Sequence, residues 1–420
     1  MNEKAYLCID LKSFYASVEC VERGLNPMTT NLAVADPERG EGTICLAISP
    51  SMKALGIPNR CRVYQIPKNV DYIMAPPRMK LYIEYSADIY AIYLKYISKD
   101  DIHVYSIDEA FLDVTDYLGM YKMSAEELAV CIMEDIKSAT GITATAGVGT
   151  NLYLAKVALD ILAKHNSDNI AYLDEELYRK KMWDYKPLKD FWRVGKGVEK
   201  RLSEIGIMTM GDIARADEKI LYKMFGVDAE LLIDHAWGRE STIMADIKSY
   251  RPKSNSLSSS QVLLRNYDYK ECLIVLKEMT DSLCLDMVEK GLVTESLSII
   301  IGYAYEYEHD SARGTQSMTV CTNLYSMIMP YAVSLYERIA DKNIPIRRIS
   351  LTFNNVMDES YEQYDLFTNI KNAEIEKNLQ RSVLDIKNRF GKNAVLRGMD
   401  LLESGTAMER NRQIGGHRSG

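Results

Sequence analysis

HVYSIDEAFLDV, residues 103–114, carries two adjacent carboxylates, Asp108 and Glu109, inside an apolar run with the look of a strand hairpin. A second run, AYLCIDLKSFYASVECV over residues 5–21, carries Asp10 at the end of an apolar strand. A bare carboxylate at the edge of a buried strand is costly unless something pairs with it. Asp10 lies between Ile9 and Leu11 with only Lys12 beside it as a cation. Taken alone, Asp108-Glu109 would read as a polar hairpin turn. With Asp10, the three acids point to a site for divalent cations. Hard oxygen donors suit Mg²⁺ and argue against zinc or copper. Two Mg²⁺ bridged by Asp10 and Asp108, with Glu109 on one ion and the Leu11 carbonyl as an extra ligand, would serve phosphoryl or nucleotidyl transfer.

Working outward, residues 5–11 read as a strand, and Ser13 to Gly24 as a helix stopped by Asn26-Pro27. Short strands at 31–36 and 43–49 flank a polar turn, and Pro50 to Gly56 reads as a short helix. Residues 79–98 form a Tyr-rich helix whose aromatic stripe suits core packing. Ser124 opens a helix with a capping box, a strand follows over 142–148, and Gly149-Thr150-Asn151 leads into a helix ending at His165. Residues 171–240 read as helical. After a polar stretch comes a β-α-β-β-α-β succession: strand 257–264, helix 268–290, strands 293–304 and 314–322, helix 325–339, strand 348–354. This is a split βαβ pattern. A further helix, 373–390, precedes a Gly-rich, basic end expected to be loose.

The 420-residue chain is too long for one core. No stretch is apolar and long enough to span a bilayer, and the chain runs almost directly into its first strand without the pattern of a signal peptide. Its eight cysteines have no CxxC spacing, so structural zinc and a disulfide framework are not expected, and a reducing cytoplasmic setting is. The net charge of −8 does not advertise nucleic-acid binding, but residues 178–201 hold nine Lys/Arg against three acids, a local +6. Charge alone would leave this a solvated face. Within it, however, Gly195-Lys196-Gly197 resembles the hairpin of a helix-hairpin-helix. There backbone N–H groups, a helix N-terminus and Lys200 would meet a phosphate. Gln363-Tyr364-Asp365-Leu366-Phe367 has the form of a short docking peptide anchored by Gln363, Leu366 and Phe367.

Together these motifs resemble the Y-family (UmuC/DinB-like) lesion-bypass DNA polymerases, with the UmuC-like branch nearest. Asp10-Leu-Lys-Ser-Phe-Tyr-Ala-Ser-Val-Glu19 and Tyr105-Ser-Ile-Asp-Glu-Ala-Phe111 look like the family's two palm motifs. The resemblance implies an α+β right-hand fold: palm over 1–26 and 78–170, small fingers over 27–77, and a helical thumb over 171–240. A linker over 241–250, a split-βαβ little finger over 251–357 and a tail over 358–420 would complete it. It makes Asp10, Asp108 and Glu109 the catalytic metal ligands and Tyr15 the steric gate against a ribose 2′-OH. Phe14 would lie beside the sugar, and Lys53 and Lys164 would be triphosphate contacts. Residues 363–367 become a sliding-clamp motif. Three departures stand out: Lys12 replaces a second acid, Pro50 and Lys53 stand where Tyr and Arg are usual, and Lys156 to Lys164 is one residue longer than in many relatives. The implied activity is low-fidelity, template-directed transfer from dNTP to a primer 3′-OH, with two Mg²⁺ and primer–template DNA as partner, and no proofreading cluster is visible. A palm-like nucleotidyl cyclase shares the two-metal logic but leaves the hairpin and the split-βαβ domain without purpose. A non-catalytic DNA-binding homologue would not need the three acids.

Overall fold

A computed structural model describes residues 4–252, 255–366 and 368–420. The chain forms two compact units, residues 1–250 with Gly420, and residues 251–419.

The first unit begins with β1 (Tyr6–Leu11), α1 (Phe14–Val21), β2 (Leu32–Val34), β3 (Ala47–Ile48), α2 (Pro50–Ala54), β4 (Ile73–Ala75) and α3 (Met79–Tyr96). There follow β5 (Ile102–Val104), β6 (Glu109–Asp113), α4 (Leu118–Tyr121), α5 (Ala125–Thr140), β7 (Ala144–Gly149), α6 (Leu152–Val157) and β8 (Ile170–Leu173). The main sheet runs β5-β6-β1-β7-β8, antiparallel except for the β7–β8 pair. β1 is central and covered on both faces, so it reads as an unbroken apolar run rather than an alternation. Leu7, Ile9 and Leu11 join the core with α1, α3 and α5. Tyr6 and Cys8 face the other way, against Leu152, Ala155 and Leu159 of the α6 segment. Asp10 shares that second face, because side chains alternate along a strand.

The α6 segment lies unusually close to β7. A Cβ on Gly147 would fall 2.1 Å from the Ala155 carbonyl oxygen, and one on Gly149 would fall 2.3 Å from the Ala155 nitrogen. No side chain fits in either place, so the two glycines set the distance between helix and sheet. The helix is also not a plain one. After α6 the chain makes a π-turn over Ala158–Leu162 and a 3-10 turn over Ala163–His165. β2, β3 and β4 form a separate small sheet, ordered β3-β2-β4, with its own core around Ile48, Met52 and Cys61.

Beyond β8 the unit is helical: α7 (Glu175–Met182), α8 (Lys196–Ser203), α9 (Met210–Arg215), α10 (Glu218–Phe225), α11 (Asp228–Ala236) and α12 (Met244–Ser249). Two expectations change here. Residues 170–173 are the edge strand of the main sheet and not the start of the helical region; four residues are too few to show strand periodicity in the sequence. The expected linker, 241–250, contains α12, whose Met244 is buried and whose Lys248 ammonium donates to the carbonyls of Lys99 and Ile102 at 3.0 and 2.6 Å.

The second unit has β9 (Leu257–Tyr267), α13 (Tyr269–Lys290), β10 (Leu292–Tyr303), β11 (Ala312–Thr322), α14 (Tyr325–Ile339), β12 (Ile346–Asn354) and β13 (Met357–Asp358). Its sheet is ordered β11-β10-β12-β9, with β13 pairing β10. α13 and α14 pack on one face around Leu276, Leu297, Leu335 and Phe353. The segment expected as a loose tail holds α15 (Ile370–Phe390), α16 (Ala407–Arg410) and the hairpin β14 (Gln413–Ile414) with β15 (His417–Arg418). It satisfies acids on α13: Arg397 pairs with Asp281 at 2.7 Å, and the Thr406 backbone and hydroxyl donate to Glu278. A buried Glu278 without those donors would be costly, so this part of the tail belongs to the fold. Among the described residues no helix is long and apolar enough to cross a membrane.

Gly147→Ala is expected to lower stability by about 3 kcal/mol or more, since the obstacle is backbone and not a side chain that can turn away. Urea unfolding measures this; an unchanged midpoint would show that the helix can retreat from the sheet without cost.

Candidate active site

Asp10 is the second-last residue of β1 and Glu109 opens β6, and the two are direct partners in the antiparallel register. The Leu11 amide donates to the Asp108 carbonyl at 3.0 Å, which fixes the Asp108 turn beside the end of β1. The hairpin and the central strand thus deliver three acids from residues about a hundred positions apart. Asp10 and Asp108 line a cavity of about 870 Å³ together with Leu11, Phe14, Tyr15, Lys53 and Lys164. Glu109 sits behind this wall and is turned to other partners. Lys156 lies 2.9 Å from both of its carboxylate oxygens, and the Cys8 thiol donates to it at 3.2 Å. Both Lys156 and Glu109 are less than a tenth exposed. Among the described residues no three His, Cys, Asp or Glu stand together in metal-holding spacing.

The charges form a chain. Lys156 reaches Asp160 at 2.8 Å, Asp160 reaches Lys164 at 2.9 Å, and Lys164 stands 3.4 Å from Asp10. Burial pushes the Asp10 carboxyl up to about 6 against the pull of Lys164, with Asp108 and Glu109 adding to the rise. Burial works against the Lys156 ammonium, yet Cys8, Asp160 and Glu109 hold it above the usual lysine range. The carboxylates carry that effect, because burial and Glu109 drive the Cys8 thiol well up and keep it neutral. Burial likewise opposes charge on Asp160 and Lys164, but the lysines pull Asp160 down, and Asp10 and Asp160 push Lys164 up. Lys53, at the end of α2, is pulled down by burial, with Asp10 opposing.

The donor set fits hard divalent cations. Two carboxylates face the cavity, a third lies behind them, and Asp10 is a group whose ionised form a nearby cation would favour. Lys12 donates its backbone N–H to the Thr143 carbonyl at 2.9 Å.

Tyr15 stacks on Tyr82 with ring centroids 4.5 Å apart. Tyr82 is in turn held by Glu19, buried on α1, which accepts a hydrogen bond from the Tyr82 hydroxyl at 2.8 Å and two from Arg78 at 2.9 and 2.8 Å. The Tyr stripe of α3 thus packs as expected and also seats the ring that faces the cavity. Gly195 caps α8, and Lys196, Gly197 and Lys200 are exposed at its start. A Cβ on Gly195 or Gly197 would meet nothing within 4 Å, so neither glycine is required by packing inside the protein. In the second unit the Gln363 amide donates to the Cys321 carbonyl, Leu366 is fully exposed, and Phe367 lies outside the described residues.

Sequence reasoning overlooked Asp160 and undervalued Lys156. Lys156, noted in the sequence only for its spacing to Lys164, is among the most buried cations of the described residues. One signal was available: Lys156, Asp160 and Lys164 follow one another at four-residue spacing, the pattern of helix ion pairs. Arg60 and Asn59, also on the cavity wall, had no such signal.

The impB/mucB/samB family matches residues 9–160, and its C-terminal domain matches residues 254–366. The chain is 32% identical to the putative UV-damage repair protein UvrX of Bacillus subtilis (strain 168), over 99% of this chain and 98% of that one. It is 30% identical to DNA polymerase IV 2 of the same organism, over 99% of each. Among solved structures, a Y-family DNA polymerase chimera of Dbh and Dpo4 superposes with a TM-score of 0.66 at 23% identity, covering 84% of this chain and 99% of the chimera. That likeness concerns the fold.

Proposed function

The chain belongs to the impB/mucB/samB family, the Y-family DNA polymerases, and from that premise we propose how its residues divide the work. It is a DNA-directed DNA polymerase of the lesion-bypass class; the cyclase and the non-catalytic readings have no support. The observation that carries the assignment of the centre is the register pairing of Asp10 with Glu109, with Asp108 bonded to the same strand end. Asp10, Asp108 and the Leu11 carbonyl, which line the cavity, would hold two Mg²⁺, and Glu109 would join them on turning from Lys156. These ions would neutralise charge on the phosphates and activate the primer 3′-OH.

The protein's own groups do the rest. Tyr15, braced by Tyr82, closes the floor of the cavity where the sugar would lie, and Phe14 packs beside it. Lys53 and Lys164 reach into the cavity from α2 and from the helix behind β7, two sides from which a triphosphate can be held. The exposed start of α8, with Gly195, Lys196, Gly197 and Lys200, offers backbone N–H groups and ammonium groups to a DNA phosphate. Leu366, fully exposed, with Gln363 and Phe367, supplies a tether to a sliding clamp, which raises local concentration at a primer end without new DNA contacts. A cytoplasmic setting follows from this role.

One primer-extension assay with Mg²⁺ and dNTPs tests the centre and the gate. Asp108→Ala is expected to abolish extension with folding intact, and wild-type turnover would remove Asp108 from the centre. Tyr15→Ala is expected to admit ribonucleotides while deoxynucleotides are still used; unchanged discrimination would place the gate elsewhere. For the DNA grip, Lys196→Ala and Lys200→Ala are each expected to reduce the log–log salt slope of binding by about 0.9, and an unaltered slope would return them to a solvated face. Leu366→Ala is expected to keep distributive synthesis and lose clamp stimulation. Equal clamp affinity by calorimetry would make residues 363–367 part of the surface only.

A further inference from the structure

The helix behind β7 sets its two lysines, Lys156 and Lys164, eight residues apart, and the segment between them is not regular α-helix. Eight residues of uninterrupted α-helix would carry position 164 about 80° round the axis from position 156. The π-turn at Ala158–Leu162 widens the helix by an extra residue per hydrogen-bonded ring. Asp160 stands in the middle of that turn, and both lysines meet on it: Lys156 at 2.8 Å and Lys164 at 2.9 Å. Asp160 itself lines the cavity.

We propose that Asp160 is a positioning residue that presents Lys164 to the nucleotide triphosphate, with the π-turn as the element that brings it into range. The proposal rests on the reading of Lys164 as a triphosphate contact. An ammonium has three donors. In this structure Lys164 directs itself toward Asp160 at 2.9 Å and toward Asp10 at 3.4 Å, which leaves donor capacity for a phosphate oxygen. Asp10 is a proposed metal ligand, so its charge is committed elsewhere in the working complex. Asp160 is the anion that stays with the lysine. It is held from the far side by Lys156, and Lys156 is fixed by Glu109 behind the cavity wall. A long side chain that would otherwise sample many rotamers is thereby kept in one.

Single-nucleotide incorporation under steady state tests this with three variants. Asp160→Asn keeps the shape and removes the charge. It is expected to raise the dNTP KM about tenfold, the scale of one charge-assisted hydrogen bond, with kcat within about twofold of wild type and an unchanged circular dichroism spectrum. Asp160→Glu, which restores a carboxylate, is expected to recover much of the KM. Lys164→Ala is expected to raise KM at least as much as Asp160→Asn. If Lys164→Ala raises KM and Asp160→Asn does not, Asp160 has no positioning role and the proposal is overturned. If Lys164→Ala leaves KM unchanged, the reading of Lys164 itself fails, and that result is distinct from the first. A fall in kcat equal to the KM change, without recovery in Asp160→Glu, would make Asp160 a structural residue and also overturn the proposal.

Discussion

The contact between the α6 backbone and β7 is the constraint on which the centre depends. At Gly147 and Gly149 the helix occupies the volume that any side chain would need. Only at that separation can Lys156, rooted on the helix, place its ammonium between Glu109 on the sheet and Asp160 on its own next turn. The same strand face then runs from Tyr6 through Cys8 to Asp10, so the helix that fills the space over the first two also arranges the charges near the third.

That arrangement has an electrostatic logic. Three acids at two strand ends would repel one another and resist burial. Lys156 answers for Glu109, and Lys164 stands near Asp10. Breaking the buried Lys156–Glu109 pair by removing one partner would cost about 3–5 kcal/mol, so the pair is structural as well as local to the chemistry. Asp160 keeps the two ammonium groups from being a bare like-charged pair. The site is therefore an alternating row of charges, and the cavity opens onto the end of the row where Asp10 and Asp108 lie.

The helix that carries the row also belongs to a second core. Tyr153, Leu154, Val157 and Ile161 pack with Tyr178, Phe191 and Leu221 of the helical region. Trp192 donates to the Tyr105 hydroxyl at 3.1 Å, joining that region to the strand that leads into Asp108. Within the first unit, the helical region that holds α8 and the acid-bearing hairpin are thus tied through aromatic contacts and one helix.

How much of this was legible follows from the range over which each feature acts. The sequence by itself determined the succession of elements, the split-βαβ unit and the candidate acids, because a carboxylate inside an apolar run is a local anomaly visible without any partner. The Gly195-Lys196-Gly197 pattern was visible in the same local way, and the structure places it at the N-terminus of α8. Only the tertiary structure decided that Glu109 turns to Lys156 and not to the cavity, that Lys156 is buried, and that residues 170–173 and 244–249 join the first unit. It also decided that the segment from 370 onward is anchored to Glu278 and Asp281. The physical reason is shared: each depends on which surfaces meet across long sequence separation. Here that meeting turns on two glycines and on a π-turn, features that leave almost no mark on hydrophobic periodicity.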